Sequence, residues 1–536
     1  MTLNFGEIVD AVSDAVPAES PAFVHGERTI RWGDAKKRMN NIARGLRERG
    51  AVAGDKVAFY MRNGIEYGEL TGACFLGRLT HVNVNYRYKP DEVHYIIDNS
   101  DAVAVVYARE FRDHIAQIHN RLHKVKCFIE VGEGDVQSFA EPYEKLVRSG
   151  NGAKLGIERS PHDQVMVYTG GTTGMPKGVI YEQGDLAAPL LVRLALLTGR
   201  VPETAADVVE MVRASGAATY LPACPQMHGT GFFGTMATIM SGGCVVTVDS
   251  HSLDPHAIWR AVEKNKVAHM AIVGDPFARP LLNALDEEPG RYDVSSVVAI
   301  GSSGAMWSAE VKQGLLRHMP QAVLTDNFAS TEALGMGQSI ATKDSETKTA
   351  AFVLGENALV LDDNDQPLAP GSGVPGRLAV SGILPLGYYK DPEKTARTIK
   401  EINGKRYSIP GDYAIVEADG RLTVLGRGSN CINTAGEKVF PEEVEEALKT
   451  HPAVEDALVL GVPDPTWGQA VTGVVTLVPG SAFDEASLKA HVRERLAGYK
   501  TPKRVLVAGV PLRAPNGKAD YKSAAAFAKE TLGVTG

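Results

Sequence analysis

From residue 56 to residue 318 short apolar runs alternate with amphipathic stretches, and few folds remain open to such a chain. Runs at 56–60, 81–84 and 102–107 read as strands, with helices predicted at 65–76 and 91–98 between them. The pattern resumes with strands predicted at 217–221, 244–248, 269–273 and 296–300. Helices are predicted near 232–241, 254–265, 277–286 and 308–318. Strands separated by helix-length segments need helical crossovers, so most of this sheet is parallel. Before it, residues 21–32 read as a hairpin turning at Gly26-Glu27, followed by a helix with Asp34 as its cap and Gly50 as its stop. From about 350 the pattern becomes β, ending in a hairpin at 412–427 with an Asp419-Gly420 turn. After Gly428 it changes again. Pro441 opens a helix with acidic residues in its first turn, and strands and a second helix follow.

The expected fold class is therefore α/β. A large N-terminal multi-lobed domain, residues 1–427, holds mostly parallel sheets flanked by helices plus a β subdomain. A small C-terminal α+β domain spans 428–536. A length of 536 residues corresponds to roughly three or four average folding units. Hydrophobic residues at 44% and charged residues at 22% provide enough apolar surface for a core, which excludes a disordered chain. A net charge of −8 lacks the basic excess of a nucleic-acid binder. Cys74, Cys127, Cys224, Cys244 and Cys431 are far apart, form no metal-ligand spacing, and read as buried thiols in a reducing cytoplasm. The first residues carry Glu7, Asp10 and Asp14 and no basic stretch, so no secretory leader is expected. No uncharged apolar run reaches the roughly 18 residues that span a bilayer. The final LGVTG reads as neither a peroxisomal nor an endoplasmic-reticulum address, so neither destination is expected.

Glycine makes up 55 of the 536 residues, a higher share than usual, which points to loops where backbone approaches a ligand. One stands out, from Tyr168 through Thr169, Gly170, Gly171, Thr172, Thr173, Gly174, Met175, Pro176 and Lys177 to Gly178. Hydroxyls, bare backbone N–H groups and one lysine are what a polyphosphate needs. It is not a Walker A loop, because Pro176 stands where that motif needs Gly and Gly178 follows Lys177. It also lies between two predicted strands, so the phosphates would be held by a mobile hairpin rather than a helix terminus. A competing dinucleotide fingerprint, Gly229-Thr230-Gly231-Phe232-Phe233-Gly234 with Asp249 beyond it, is interrupted upstream by Pro222 and Pro225.

The glycine loop resembles the pyrophosphate-binding signature of the adenylate-forming superfamily, whose members include acyl-CoA synthetases and fatty-acid–CoA ligases. Further motifs follow in that family's order. Phe328-Ala329-Ser330-Thr331-Glu332 resembles its aromatic-Gly-x-Thr-Glu motif, and Gly411-Asp412 its Thr-Gly-Asp motif. Gly426-Arg427 with 432–437 and 441–445 resembles its hinge segment, and 496–500 and Pro515-Asn516-Gly517-Lys518 close the set.

The resemblance implies an AMP-forming acid–thiol ligase. A carboxylate attacks the α-phosphate of ATP with Mg2+, and coenzyme A then displaces AMP from the acyl-adenylate. Thr169 to Lys177 would wrap the β- and γ-phosphates, Phe328 would stack on adenine, and Thr331 would bond the α-phosphate. Glu332 would hold Mg2+, Asp412 would accept from the ribose hydroxyls, and Arg427 would reach the ribose or the phosphates. Gly301, Ser302, Ser303 and Gly304, with Asn327, Ala329 and Ser330, would line the nucleotide and acid sites. His228 would gate the acyl pocket. Lys518 would bridge the carboxylate and the α-phosphate from the small domain, which then rotates so that Gly436 lines the thiol channel. Asn430, Ala435 and Ala329 depart from the family pattern. The acid implied is a medium- or long-chain fatty acid or a bulky cyclic acid such as an aromatic or steroid side-chain acid. A stand-alone adenylation enzyme loading a carrier protein shares every motif, and a homodimer is left open.

Overall fold

The computed structural model describes residues 3–534 except 170–174, 346–347, 350, 435–436, 465 and 515–516. The described residues form four sheets. In one, five parallel strands run in the order Thr80–Asn83, Lys56–Tyr60, Ala102–Ala108, Cys127–Val131, Ala140–Pro142. Its central strand, AVAVVYA, is buried along nearly its whole length. A strand covered on both faces has no need of alternation, which is why its sequence is a continuous apolar run.

The largest sheet is built in two styles. Six strands pair in parallel in the order Pro21–His25, Cys244–Thr247, Thr219–Pro222, His269–Ile272, Ala299–Ser303, Val323–Ser330. Beyond Val323–Ser330 the pairing turns antiparallel through Ala333–Ala341 and Ala351–Leu354 to Arg421–Arg427 and Asp412–Val416. The chain steps from Thr219–Pro222 to Cys244–Thr247 on one side, then crosses to His269–Ile272 on the other. That reversal opens a crevice at the strands' carboxyl ends.

The other two sheets are small. Gln164–Thr169 and Lys177–Glu182 form an antiparallel hairpin extended by Gly387–Tyr388. After a 3-10 turn at Gly428–Asn430 comes a five-stranded sheet; the helices Pro441–Lys449 and Glu485–Arg495 enclose one apolar cluster with it, and Tyr521–Leu532 packs against a second. No helix of the described residues is long and apolar enough to cross a membrane. Four of the cysteines are buried, and Cys431 is partly exposed.

The structure corrects local expectations in three places. The second helix starts at Trp32, not after Asp34; Asp34 sits in its first turn, where the helix dipole favours a carboxylate. The strand predicted at 296–300 runs from Ala299 to Ser303. Ladders from both neighbours carry it through Gly301 and two serines that have little strand preference of their own. The fingerprint glycines 229–234 open a helix, Gly229–Met240, not a dinucleotide turn, and Asp249 is exposed beside His25. Elements missed altogether include Phe5–Ala15, whose Asn4 cap accepts from Gly6 and Glu7 N–H, and Ala205–Ser215 with its Thr204 cap.

Candidate active site

A cavity of about 610 Å³ opens at the carboxyl ends of the parallel strands. It falls within the size range of small-molecule sites. Tyr220, Met270, Ala271, Gly301, Ser302, Ser303, Asn327, Ala329 and Ser330 reach it from strands, and Gly304 and Thr331 from the turns that follow. Thr169 enters from the hairpin, His228 and Gly229 from the start of a helix, and Lys518 from beyond residue 428. Residues expected at the site from both sides of residue 428 therefore meet in one space.

The polar wall is held by its own backbone. Asn327 Nδ2 donates to the Ser302 carbonyl at 3.4 Å, and Gln338 Nε2 donates to Asn327 Oδ1 at 3.0 Å. Ser302 Oγ accepts from Gly274 N–H at 2.9 Å. Tyr181 OH donates to the Thr331 carbonyl at 2.9 Å. Beneath this wall Lys312 and Asp326 form a buried ion pair at 2.9 Å. Ser330 Oγ and His228 Nε2 are buried without a hydrogen-bond partner among the described residues. Orphan polar atoms facing a cavity are ready for a ligand.

His228 precedes the helix Gly229–Met240. It is held there because Gly231 lets the Pro225 carbonyl lie where a side chain would be; a Cβ at 231 would come within 2.6 Å of that oxygen. Burial, with Lys518 and Arg87 nearby, pulls the imidazole down to about 3, so it is neutral at physiological pH.

Lys518 follows Gly517, whose φ of +80° suits glycine, and Gly517 packs against Phe277 and Pro276. Its Cε stands 4.0 Å from the position a Gly304 Cβ would take. Water reaches the Lys518 side chain from the cavity, although protein surrounds it. Burial, and Arg427 beside it, lower the ammonium's pKa, while Glu332 opposes them.

A second group adjoins the cavity without lining it. Buried Glu332 follows Thr331, and its Oε1 accepts from Tyr388 OH at 2.8 Å. Asp412 and Arg427 are cross-strand partners, with Arg427 Nε donating to Asp412 Oδ1 at 3.4 Å. Burial raises the Asp412 carboxyl's pKa against the pull of Arg427. Burial draws Arg427 down, but Asp412 and Glu332 carry it above its usual value. Lys177 pairs with Asp391 at 3.0 Å, which raises its ammonium's pKa. Partly exposed, such a pair contributes less than about 1 kcal/mol, so Lys177 can exchange Asp391 for a phosphate. Phe328 does not line the cavity; its ring packs 5.5 Å from Phe352 within the β lobe. Gly170, Gly171, Thr172, Thr173, Gly174, Ala435 and Gly436 lie outside the described residues.

Other contributors had no local sequence signal. Asn83, at the end of a strand in the five-stranded sheet, donates to the carbonyls of Tyr168 at 2.9 Å and Met227 at 2.6 Å. Its Oδ1 accepts from Tyr168 N–H at 2.7 Å, so one amide ties the glycine-loop hairpin to the His228 segment. Leu186, Pro189 and Leu190, from a helix the sequence reading missed, join Phe233, Met270 and Val273 as an apolar wall. Lys518 is the one Lys, Arg, Asp or Glu among the described lining residues. No group of three or more His, Cys, Asp or Glu among the described residues could hold a resident metal ion.

Residues 10–389 match the model of the AMP-binding enzyme family, and residues 443–518 match that of the AMP-binding enzyme C-terminal domain. A 3-oxocholest-4-en-26-oate–CoA ligase of Rhodococcus rhodochrous is 39% identical over 100% of this chain and 97% of its own length. The medium-chain acyl-CoA ligase Mig of Mycobacterium avium is 37% identical over 96% of this chain and 97% of its own length. Among solved structures, an anthranilate CoA ligase, AuaEII, in complex with anthranoyl-AMP superposes with a TM-score of 0.83 at 20% identity, covering 99% of this chain and 98% of that one. ATP-bound MatB from Rhodopseudomonas palustris gives 0.81 at 22%, covering 99% of this chain and 100% of that one. At those identities the likeness is one of fold.

Proposed function

The chain belongs to the AMP-binding enzyme family, and from that premise we propose that it activates bulky hydrophobic carboxylic acids, fatty acids and steroid side-chain acids among them. It is an ATP-dependent acyl-CoA ligase of the AMP-forming class. The substrate reading rests on one observation: a 610 Å³ cavity with a long apolar wall and no described cation but Lys518. That leaves room for a large apolar body and supplies no pair for a second carboxylate. Relatives named for medium- and long-chain fatty acids and for 3-oxocholest-4-en-26-oate agree with it.

The acid's carboxylate oxygen attacks the α-phosphorus, the bond to the β-phosphate breaks, and pyrophosphate leaves. In our reading Lys518 holds the acid carboxylate and an α-phosphate oxygen together, offsetting charge as it moves between them. Thr331 and Ser330 hydroxyls donate to the α-phosphate, and the 169–177 loop with Lys177 holds the departing phosphates. Asp412 Oδ2, buried without a donor among the described residues, takes a ribose hydroxyl, and Arg427 keeps that carboxylate aligned. Neutral His228 borders the reacting carboxylate as a hydrogen-bonding wall that adds no competing charge. Glu332 fits Mg2+ that arrives on ATP, since that ion keeps several waters and phosphate oxygens and needs only one or two carboxylates. When bound, the ion would neutralise phosphate charge. A thiol then attacks the acyl carbon and AMP leaves, for which we assign a moving unit of residues 428–536 against 1–427. The 3-10 turn at Gly428–Asn430 supports that boundary.

A panel of acids incubated with ATP, scored for pyrophosphate and AMP with and without free coenzyme A, tests the reading. Octanoate, palmitate and 3-oxocholest-4-en-26-oate should release pyrophosphate and consume coenzyme A. Turnover restricted to short or dicarboxylic acids would sink it.

A further inference from the structure

The glycines at 229–234 resemble a dinucleotide loop, yet they lie in a helix, where glycine is a poor former. Two of the three have a neighbour that no side chain could tolerate. Gly231 admits the Pro225 carbonyl, Gly229 faces Phe233 and Thr331, and Gly234 faces the Tyr220 ring. A Cβ at 234 would lie 2.3 Å from both Cζ and Oη of Tyr220 and 2.9 Å from Cε2. No such contact can stand, so the ring would have to move.

Two facts decide where it would go. Tyr220 OH donates to the Gly231 carbonyl at 3.3 Å, so the ring lies flat along the helix's first turns. Tyr220 is only 6% exposed, and its strand is paired on both sides with Cys244–Thr247 and His269–Ile272. The open space beside it is the cavity, which Tyr220 and Gly234 both line. Gly229, Thr230, Phe233 and Gly234 share that helix face, as the helical period requires.

We propose that Gly234 and Tyr220 act as a width gauge for the acid: the bare Cα of Gly234 seats the Tyr220 ring out of the cavity, and that seat admits acids with wide, ring-bearing bodies. The proposal rests on the reading of the cavity as the acid site. Neither residue touches the reacting atoms; the pair sets which acid bodies fit.

The test compares the parent with Gly234→Ala, Tyr220→Leu and the double variant, measuring kcat/KM for octanoate, palmitate and 3-oxocholest-4-en-26-oate. Leucine lacks the Cζ and Oη that an added methyl would strike. With Tyr220 in place, Gly234→Ala should lower the steroid-acid-to-octanoate ratio by at least about tenfold, and in the Tyr220→Leu background by less than about twofold. An unmoved ratio in Gly234→Ala, or an equal fall in both backgrounds, overturns the proposal. Should Gly234→Ala fail to fold, a folded double variant supports the clash with the ring, and an unfolded one refutes it. A parent that activates octanoate but no ring-bearing acid defeats the substrate reading instead. The gauge is then judged on palmitate against octanoate by the same criterion.

Discussion

Arg427 holds one oxygen of Asp412 at 3.4 Å across a strand pair, and the other oxygen, Oδ2, is buried with no donor among the described residues. The pair thus presents a half-satisfied carboxylate beside Glu332. Replacing Asp412 by Ala should raise KM for ATP by about tenfold or more, because a bond to a charged acceptor is lost. It should also reduce ATP's protection against thermal unfolding. An unchanged KM would remove Asp412 from the nucleotide site.

Lys518→Ala separates the two half-reactions. Acyl-adenylate formation should fall by about 10²–10³-fold, the range seen when one oriented donor to a developing charge is removed. Thioester formation from a pre-made acyl-adenylate should fall far less. Pyrophosphate exchange and single-turnover thioester assays read the two steps, and equal losses would contradict a lysine that serves adenylation alone.

Tyr388→Phe removes the hydroxyl that donates to Glu332 Oε1 at 2.8 Å while leaving the ring in place. Glu332 then loses its orienting partner. Activity at limiting Mg2+ should drop by about tenfold and recover in part at high Mg2+. A loss independent of Mg2+ would show that Glu332 serves something other than the ion.

Acid should destabilise the fold through histidines held neutral. Burial pulls His81 and His228 down to about 3 and His269 down to about 4. In the unfolded chain each takes up a proton below about 6.5. The unfolded state therefore binds more protons between about 3 and 6.5, and stability present above pH 6.5 is lost as pH falls through that window. The slope is up to about 1.4 kcal/mol per pH unit for each ring. Urea unfolding at pH 7.5, 6 and 5 measures it, and His81→Gln should flatten part of the fall. A midpoint constant from pH 7.5 to 5 would contradict the buried neutral assignment.

The sequence made some of this legible for a physical reason. Thr331 and Glu332 sit in one short motif where a strand ends, and the likeness of that motif to the family's located them. The hairpin around the glycine loop was equally plain, since its flanking strands are apolar and β-branched. Partners recruited from distant segments left no such trace. Tyr388 meets Glu332 across 56 positions, and Asn83 meets Met227 across 144. Phe328 shows the opposite limit. Its place in the motif is clear, but its packing on Phe352 depends on a lobe whose pairing no local pattern announces. The glycines at 229–234 misled because close approach to a ligand and close approach to a neighbouring ring call for the same residue.

Asn83 joins three pieces of chain that belong to different sheets and loops, through bonds to Tyr168 and Met227. It works as a rivet between the glycine-loop hairpin and the segment carrying His228. A change on either side of a rivet is felt on the other. Substitutions at the hairpin and at the 222–228 loop should therefore not combine as independent errors, although neither segment is near the other in sequence. The hairpin side and the His228 side of the cavity are, mechanically, one part.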